Sequence, residues 1–356
     1  MLKVSWACTK PGGLGGSART PRSGRYAFPV LIEPRPLDDP DVQDLIGEVQ
    51  LEYVRRYGGP DDTELAPHEF EPPRGVFLLA VADGVPAGIG GWRAPEHSHR
   101  GVRDDDAEIK RMYVRASMRR RGVAARVLGA LERTATDAGR RRMILETGSE
   151  QPEAIALYAK AGYVPMTERF GLYAESPTAM YYCKELPPIR PATDDDLPVL
   201  QEIERAAGKP FAEIGMAFVA DDDPPSVEEL RAHRDAGRCW AWFDEQGRAV
   251  AYLVADLVDN GVHIEQVSVH PDHARRGIGR KLIDHVAGWA RDAGFGSLTL
   301  TTYRDVPWNG PYYARLGFHT VADDALSPVL TRIRAEERKH GLDRWPRIVM
   351  RRGLEA

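Results

Sequence analysis

Two short basic turns built around glycine carry the most readable chemistry in the sequence. One is MRRRGVAARVL, from Met118 to Leu128, and the other is HARRGIGRKL, from His273 to Leu282. Glycine lets the backbone approach a ligand closely, and the N–H groups at the start of a following helix point outward. Gly122, Val123 and Ala124 in one turn, and Gly277, Ile278 and Gly279 in the other, therefore read as phosphate cradles. Arg119, Arg120 and Arg121, and Arg275, Arg276 and Arg280, add positive charge at the same places, so the pattern predicts a ligand that carries a pyrophosphate. The basic run Arg140–Arg142 has no such setting and reads as a solvent-facing patch. A Rossmann fingerprint would need a third glycine and a later acidic residue, and a Walker motif would need Gly-Lys-Ser/Thr. Neither occurs here, which disfavours nicotinamide and ATP chemistry.

Each turn is preceded by an alternating strand, EIKRMYV from Glu108 and HIEQVSV from His263, and followed by apolar residues at helical spacing. The correspondence extends further: Val114, Gly122, Leu145, Tyr158 and Gly162 match Val269, Gly277, Leu300, Tyr313 and Gly317, each 155 positions later. So long a period indicates a duplicated domain, since solenoid repeats have periods of about 20 to 50 residues. Residues 28–186 and 187–356 read as the two domains, with the Pro-Pro pair at 187 and 188 between them. In the first, a strand at 30–32 and a helix at 41–57 lead through an acidic loop, Gly58–Arg74, into a hairpin at 75–82 and 85–92. Then come a strand at 107–114, a helix at 124–138, a strand at 143–146, a helix at 153–161 and a strand at 179–185. The acidic loop either borders a substrate pocket or is simply solvated. The second half repeats the order, with helices near 197–207 and 227–236 and an extra helix near 328–339 before a last strand at 347–352. Strands alternating with helices, with a hairpin before the central helix, predict an α/β fold with a mixed sheet in each half.

Bulk properties agree with two globular domains. A length of 356 residues, 42% hydrophobic and 28% charged, suits chains with sizeable cores. The net charge of −5 argues against a general nucleic-acid binder, so the arginine clusters are to be read locally. Cys8, Cys183 and Cys239 show neither metal nor redox spacing, which predicts a reduced, cytoplasmic setting and no metal site. No apolar run is long enough to span a bilayer, and residues 1–27 read as a disordered leader or start-site artefact.

These features together resemble the GNAT superfamily of acyl-coenzyme A dependent N-acetyltransferases. Its signature is Gln or Arg, two residues, Gly, one residue, then Gly or Ala. Arg119, Gly122 and Ala124 match it, as do Gly277 and Gly279, with Ala274 departing at the leading position. ALYAKAGY (156–163) and PYYARLGF (311–318) resemble the family's closing motif. The resemblance implies acetyl-coenzyme A as co-substrate, its pantetheine arm lying along the strand before each turn. Backbone groups of Met112 and Val114, and of Val267 and Val269, would pair with that arm, and a backbone N–H would serve as oxyanion donor. It implies Tyr158 and Tyr313 as acids for the leaving thiolate, against a reading as core aromatics. Glu108 holds the position of the family's glutamate base, and His263 and Glu265 are the alternatives in the second half, or all are structural. Gln151 and Asn309 either hold the pantetheine or cap a helix.

The expected activity is direct transfer of an acetyl group, in a ternary complex, to a primary amine on a small molecule or peptide. No Cys or Ser is placed as a covalent carrier. The largely intact signatures favour two competent sites. The alternatives are one catalytic half beside a degenerate one, and a non-enzymatic acyl-coenzyme A sensor. The sequence leaves oligomeric state open.

Overall fold

A computed structural model of the chain describes residues 30–95 and 101–354. The leader expected at 1–27 lies outside the described residues. The chain folds as two compact units that divide between Pro188 and Ile189.

The N-terminal unit runs β1 (Val30–Pro34), α1 (Pro40–Tyr57), β2 (Gly75–Ala82), β3 (Val85–Arg93), β4 (Asp106–Val114), α2 (Val123–Asp137), β5 (Arg142–Gly148), α3 (Pro152–Lys160), β6 (Val164–Pro165) and β7 (Ala179–Glu185). Its seven strands form one mixed sheet in the order β1-β2-β3-β4-β5-β7-β6, and only β4 and β5 are parallel. Parallel neighbours need a crossover, and α2 supplies it. One face of α2, with Val127, Leu128, Leu131 and Ala135, packs on Val76, Leu78, Ala80 and Val114. The helix can come this close because Gly90 on β3 has no side chain. A Cβ there would lie 3.1 Å from both Val127 and Leu131. On the other face of the sheet, α1 contributes Val42 and Leu45 to a core with Phe70, Phe77, Leu79 and Ile89. Each such fully buried side chain contributes roughly 1.5–3 kcal/mol.

The C-terminal unit runs β8 (Ile189–Pro191), α4 (Leu197–Gly208), α5 (Pro210–Glu213), α6 (Ala217–Ala220), α7 (Val227–Asp235), β9 (Cys239–Phe243), β10 (Ala249–Val258), β11 (Gly261–Val269), α8 (Ile278–Asp292), β12 (Ser297–Tyr303), α9 (Gly310–Arg315), β13 (His319–Val321), α10 (Pro328–Lys339) and β14 (Arg347–Gly353). Its sheet order is β13-β14-β12-β11-β10-β9-β8, again with one parallel pair, β11 and β12. The mixed α/β sheet expected in each half is present. Three elements repeat with identical bounds 155 positions apart: β4 and β11, α2 and α8, β5 and β12. Between α4 and α7, α5 and α6 form two single turns that bury Phe211, Met216 and Val219.

The feature that positions a site is where β4 and β5 stop pairing. Their register runs only from Asp106↔Arg142 to Glu108↔Ile144, whereas β5 stays paired with β7 along its whole length. Past Glu108 the two strands part. Their closed end is held by Arg142, whose guanidinium donates 2.7 Å bonds to both carboxylate oxygens of fully buried Asp106. Arg142 had been read with its neighbours as a solvated patch. It is buried because a carboxylate on the adjacent strand compensates it, and Arg140 lies over the ring of Trp92. Removing one partner of such a pair strands the other charge. Asp106→Ala is expected to destabilise the unit by about 3–5 kcal/mol in urea unfolding, and a loss below about 1 kcal/mol would contradict this role for the pair.

Candidate active site

The two basic turns have one backbone conformation. Arg120 and Gly122 take left-handed φ of 61° and 79°, and Arg275 and Gly277 take 63° and 77°. Such alternation turns successive N–H groups to one side, as an anion nest requires. Gly122 caps α2 without any side-chain bond, and a Cβ on Gly122 or Gly277 would meet open space within 4 Å. Both turns therefore suit a diphosphate. In the C-terminal unit the turn lines a groove of about 230 Å³ with Val269, Trp308, Tyr312 and Arg315. In the N-terminal unit Arg119 lines a cavity of about 420 Å³ with Tyr113 and Ala116. There it pairs with Glu52 and donates to the Val114 carbonyl at 3.0 Å. Of the other arginines singled out in the turns, Arg276 donates to the Asp272 carbonyl at 3.2 Å and Arg280 to Asp284 at 3.4 Å. Arg121 is exposed at the surface beside Arg120.

In the N-terminal unit β4 leaves β5 beyond Glu108, and its pairing with β3 is interrupted at Arg111 and Met112. Pairing with β3 shifts between Ile89 and Gly91, where Arg111 bulges with φ of 51°. Toward β5 the ladder has ended, so the backbone of Met112 and Val114 faces the gap between the strands. Two cavities flank that gap. One, of about 480 Å³, is lined by Asp62, Glu64, His68, Glu69, Arg93, Glu108 and Lys110, among others. The second, of about 540 Å³, is lined by Tyr53, Arg56, Tyr57, Asp61, Glu146, Gln151 and Tyr173, among others. The acidic loop at 58–74 borders both cavities. Gln151 lies on the chamber wall just before α3 and makes no side-chain cap to that helix.

Two carboxylates at this gap have opposite proton affinities. Burial alone would raise the Glu108 carboxyl, but Lys110 at 2.6 Å and Arg93 at 3.0 Å outweigh it and hold the group below the ordinary range. A carboxylate so held is a weak proton acceptor. Glu146 was not singled out from the sequence. Burial lifts it to about 7, with Lys110 opposing and Asp61 and Glu108 adding to the rise. It lies at the open end of β5, on the chamber wall, and makes no ion pair among the described residues. One signal was legible: a carboxylate inside the apolar strand MILETG, at a position where the second copy has Thr301.

Tyr158 is buried, and its hydroxyl lies 3.8 Å from the Met112 sulfur. Burial raises its pKa, as does Tyr53 on the chamber wall, so the phenol holds its proton.

The C-terminal counterparts lie in a closed interior. His263 is 1% exposed, hydrogen-bonds Thr299 at 2.8 Å, and is pushed by burial down to about 4. Glu265, beside the register shift that β11 makes against β10, is driven well above the carboxylate range by burial and by Asp256 and Glu337. At neutral pH the imidazole is uncharged. Val267 and Val269 pack in the core under α8, and Tyr313 is fully buried beside Phe318. Asn309 is fully buried and donates to Thr302 at 3.0 Å, and it makes no side-chain cap to α9.

The Acetyltransferase (GNAT) family model matches the chain twice, over residues 43–163 and 200–318. The chain therefore belongs to the GNAT acetyltransferase family and carries two copies of its domain. It is similar to the IAA acetyltransferase of Azospirillum brasilense, with 31% identity over 157 residues, 44% of this chain and 97% of that one. It is also 30% identical, over 35% of its length, to 79% of an uncharacterised N-acetyltransferase, YjcF, of Bacillus subtilis. Among solved structures, a putative acyl-CoA N-acyltransferase of Klebsiella pneumoniae is 25% identical with a TM-score of 0.37, over 44% of this chain and 97% of that one. The PaiA N-acetyltransferase of Thermoplasma acidophilum, solved in complex with coenzyme A, is 15% identical with a TM-score of 0.35, over 46% and 97%.

Carbon-13 NMR of glutamate carboxyls should show one group titrating near 7 that disappears in Glu146→Gln. Because Lys110 opposes the rise, Lys110→Met should move that midpoint higher still. If every glutamate titrated in the ordinary range, the environment assigned to Glu146 would be wrong.

Proposed function

We propose that the chain is an acetyl-coenzyme A dependent N-acetyltransferase. It passes the acetyl group directly to a primary amine of a small molecule or peptide, and the chamber of the N-terminal unit is a reacting centre. The observation that carries this reading is Glu146: a carboxyl poised near neutrality, on a cavity wall, where the two central strands separate. A general base works best with a pKa close to the working pH.

Acetyl-coenzyme A supplies an activated carbonyl as a thioester. The Gly122 turn holds its diphosphate, with Arg119 leaving Glu52 for the phosphate. The detached edge of β4 at Met112 and Val114 offers backbone groups to the pantetheine arm and an N–H to the carbonyl oxygen. Gln151 contributes an amide on the chamber wall. Glu146 takes the proton from the ammonium of the acceptor, directly or through one water. The freed nitrogen bonds to the acyl carbon as the carbon–sulfur bond breaks; Tyr158 gives its proton to the departing sulfur and is reprotonated by the second proton that the nitrogen sheds on becoming an amide. Glu108, clamped by Arg93 and Lys110, shapes the neighbouring pocket wall. Asp61, Asp62 and Glu150 around the chamber favour an acceptor that arrives as a cation.

Wild-type kcat/KM should rise with pH through about 7 as Glu146 ionises. Glu146→Gln should lose roughly 10²- to 10⁴-fold in kcat/KM together with that limb. Retention of both the rate and the limb would remove Glu146 from the mechanism.

A further inference from the structure

The same strand positions are furnished differently in the two units. On β5, Glu146 and Gly148 are partly exposed and border the chamber of about 540 Å³. Their counterparts on β12, Thr301 and Tyr303, are both 1% exposed. Gly148 leaves its place to the Tyr57 phenol, a wall of the chamber, whereas on β12 the ring of Tyr303 takes the equivalent position. Phe211 from α5 packs on that ring at 5.9 Å and on Trp308 at 5.6 Å, and Trp345 closes on Tyr303 at 6.5 Å. Met216, Val219 and Val306 complete the cluster.

A second group of side chains seals the same strand from α10, a helix with no equivalent in the N-terminal unit. Glu337, fully buried, accepts from the Thr301 hydroxyl and from Arg347 at 2.7 Å, and pairs with Arg334. Arg347 lies 4.6 Å over the Tyr303 ring. Thr301 thus bonds to a carboxylate of its own chain, at the position where the other unit presents a proton acceptor to a cavity. The groove beside the Gly277 turn ends on this cluster, because Trp308 lines the groove and also packs against Phe211.

We infer that the C-terminal unit transfers no acyl group. Phe211, Tyr303, Trp308 and Trp345 occupy the space that serves as the reacting chamber in the N-terminal unit, and all turnover belongs to that unit. The inference rests on the transferase reading above for what the N-terminal chamber does, whereas the closure itself rests on packing alone.

Two measurements separate these claims. Site-resolved mass spectrometry follows alkylation by iodoacetamide of Glu146→Cys, Thr301→Cys and Met216→Cys in the full chain. Thr301→Cys and Met216→Cys should react about tenfold or more slowly than Glu146→Cys, because a sealed interior is reached only through opening. Met216→Cys serves as a second probe because Thr301→Cys gives up a buried hydrogen bond. Modification of either within about twofold of Glu146→Cys would overturn the closure. In the second measurement, Glu146→Gln with an unchanged melting curve should retain no more than about 1% of wild-type acetyl transfer. Residual turnover near half that is lost when Gly277→Asp is added to Glu146→Gln would place catalysis in the C-terminal unit and overturn the inference, whereas residual turnover that Gly277→Asp leaves unchanged would remove Glu146 from the mechanism and keep turnover in the N-terminal unit. A wild type that acetylates no amine would instead sink the transferase reading, and the alkylation result would still decide whether the C-terminal chamber is closed.

Discussion

Pairing between β4 and β5 ends after Glu108 and Ile144, and the N-terminal centre exists because of that ending. β5 keeps its full antiparallel ladder with β7, so it is drawn along that partner and away from β4. On its other edge β4 slips register at Arg111 but stays paired with β3 at Lys110, Tyr113 and Val114. An unpaired backbone donor or acceptor is costly when buried. The edge of β4 that β5 leaves open is therefore stable only beside water or beside a ligand that completes the ladder. The Asp106–Arg142 pair fixes where the separation begins by locking the last paired positions. Geometry, charge and cavity all follow from that fork.

Charge at the fork is set by competition between burial and neighbours. Glu108, Glu146 and Glu265 all pay desolvation, and only Glu108 has two cations in direct contact. Glu108 therefore ends below its ordinary range and the other two end above it. The sign of the consequence differs as well. Glu108 adds stability above its unfolded-state pKa and loses it as pH falls through its depressed folded value. Glu146 does the opposite: the folded state holds its proton more tightly, so stability declines as pH rises from the ordinary carboxylate range toward about 7. Such a group is retained against its own cost to folding, which is a common mark of a working site.

The duplication, the mixed sheets and the conformation of both basic turns were legible in the sequence, because they rest on local signals: alternation, helical spacing, and glycines that must take left-handed φ. Arg142 and Glu146 were not. A run of three arginines looks solvated until the strand beside it is known to carry Asp106. A glutamate in MILETG looks like a solvent-facing strand residue until β4 is seen to leave β5. Both depend on contacts between residues distant in sequence, which spacing cannot report. His263 and Glu265 were legible as titratable groups on one strand, but their surroundings include Thr299 of β12, Asp256 of β10 and Glu337 of α10, which no pattern near residue 263 encodes.

The two copies also show how little change separates an open centre from a closed one. Gly148 and Tyr303 occupy equivalent positions: a side chain on Gly148 would run into the Tyr57 phenol that walls the chamber, whereas buried Tyr303 brings about 150–250 Å² of its own surface that needs company. Phe211, Trp308 and Trp345 supply that company. The polar end of the same strand requires a different solution, because Glu337 cannot remain buried as a lone anion. Arg334, Arg347 and the Thr301 hydroxyl meet it from three directions, so the charge and most of its hydrogen-bonding capacity are satisfied inside the protein. A buried network of this kind tolerates no partial version: withdrawing one member leaves the others desolvated and unpaired. The C-terminal interior is thus held shut by apolar packing on one side and a buried ionic network on the other, while the N-terminal fork keeps its cavity.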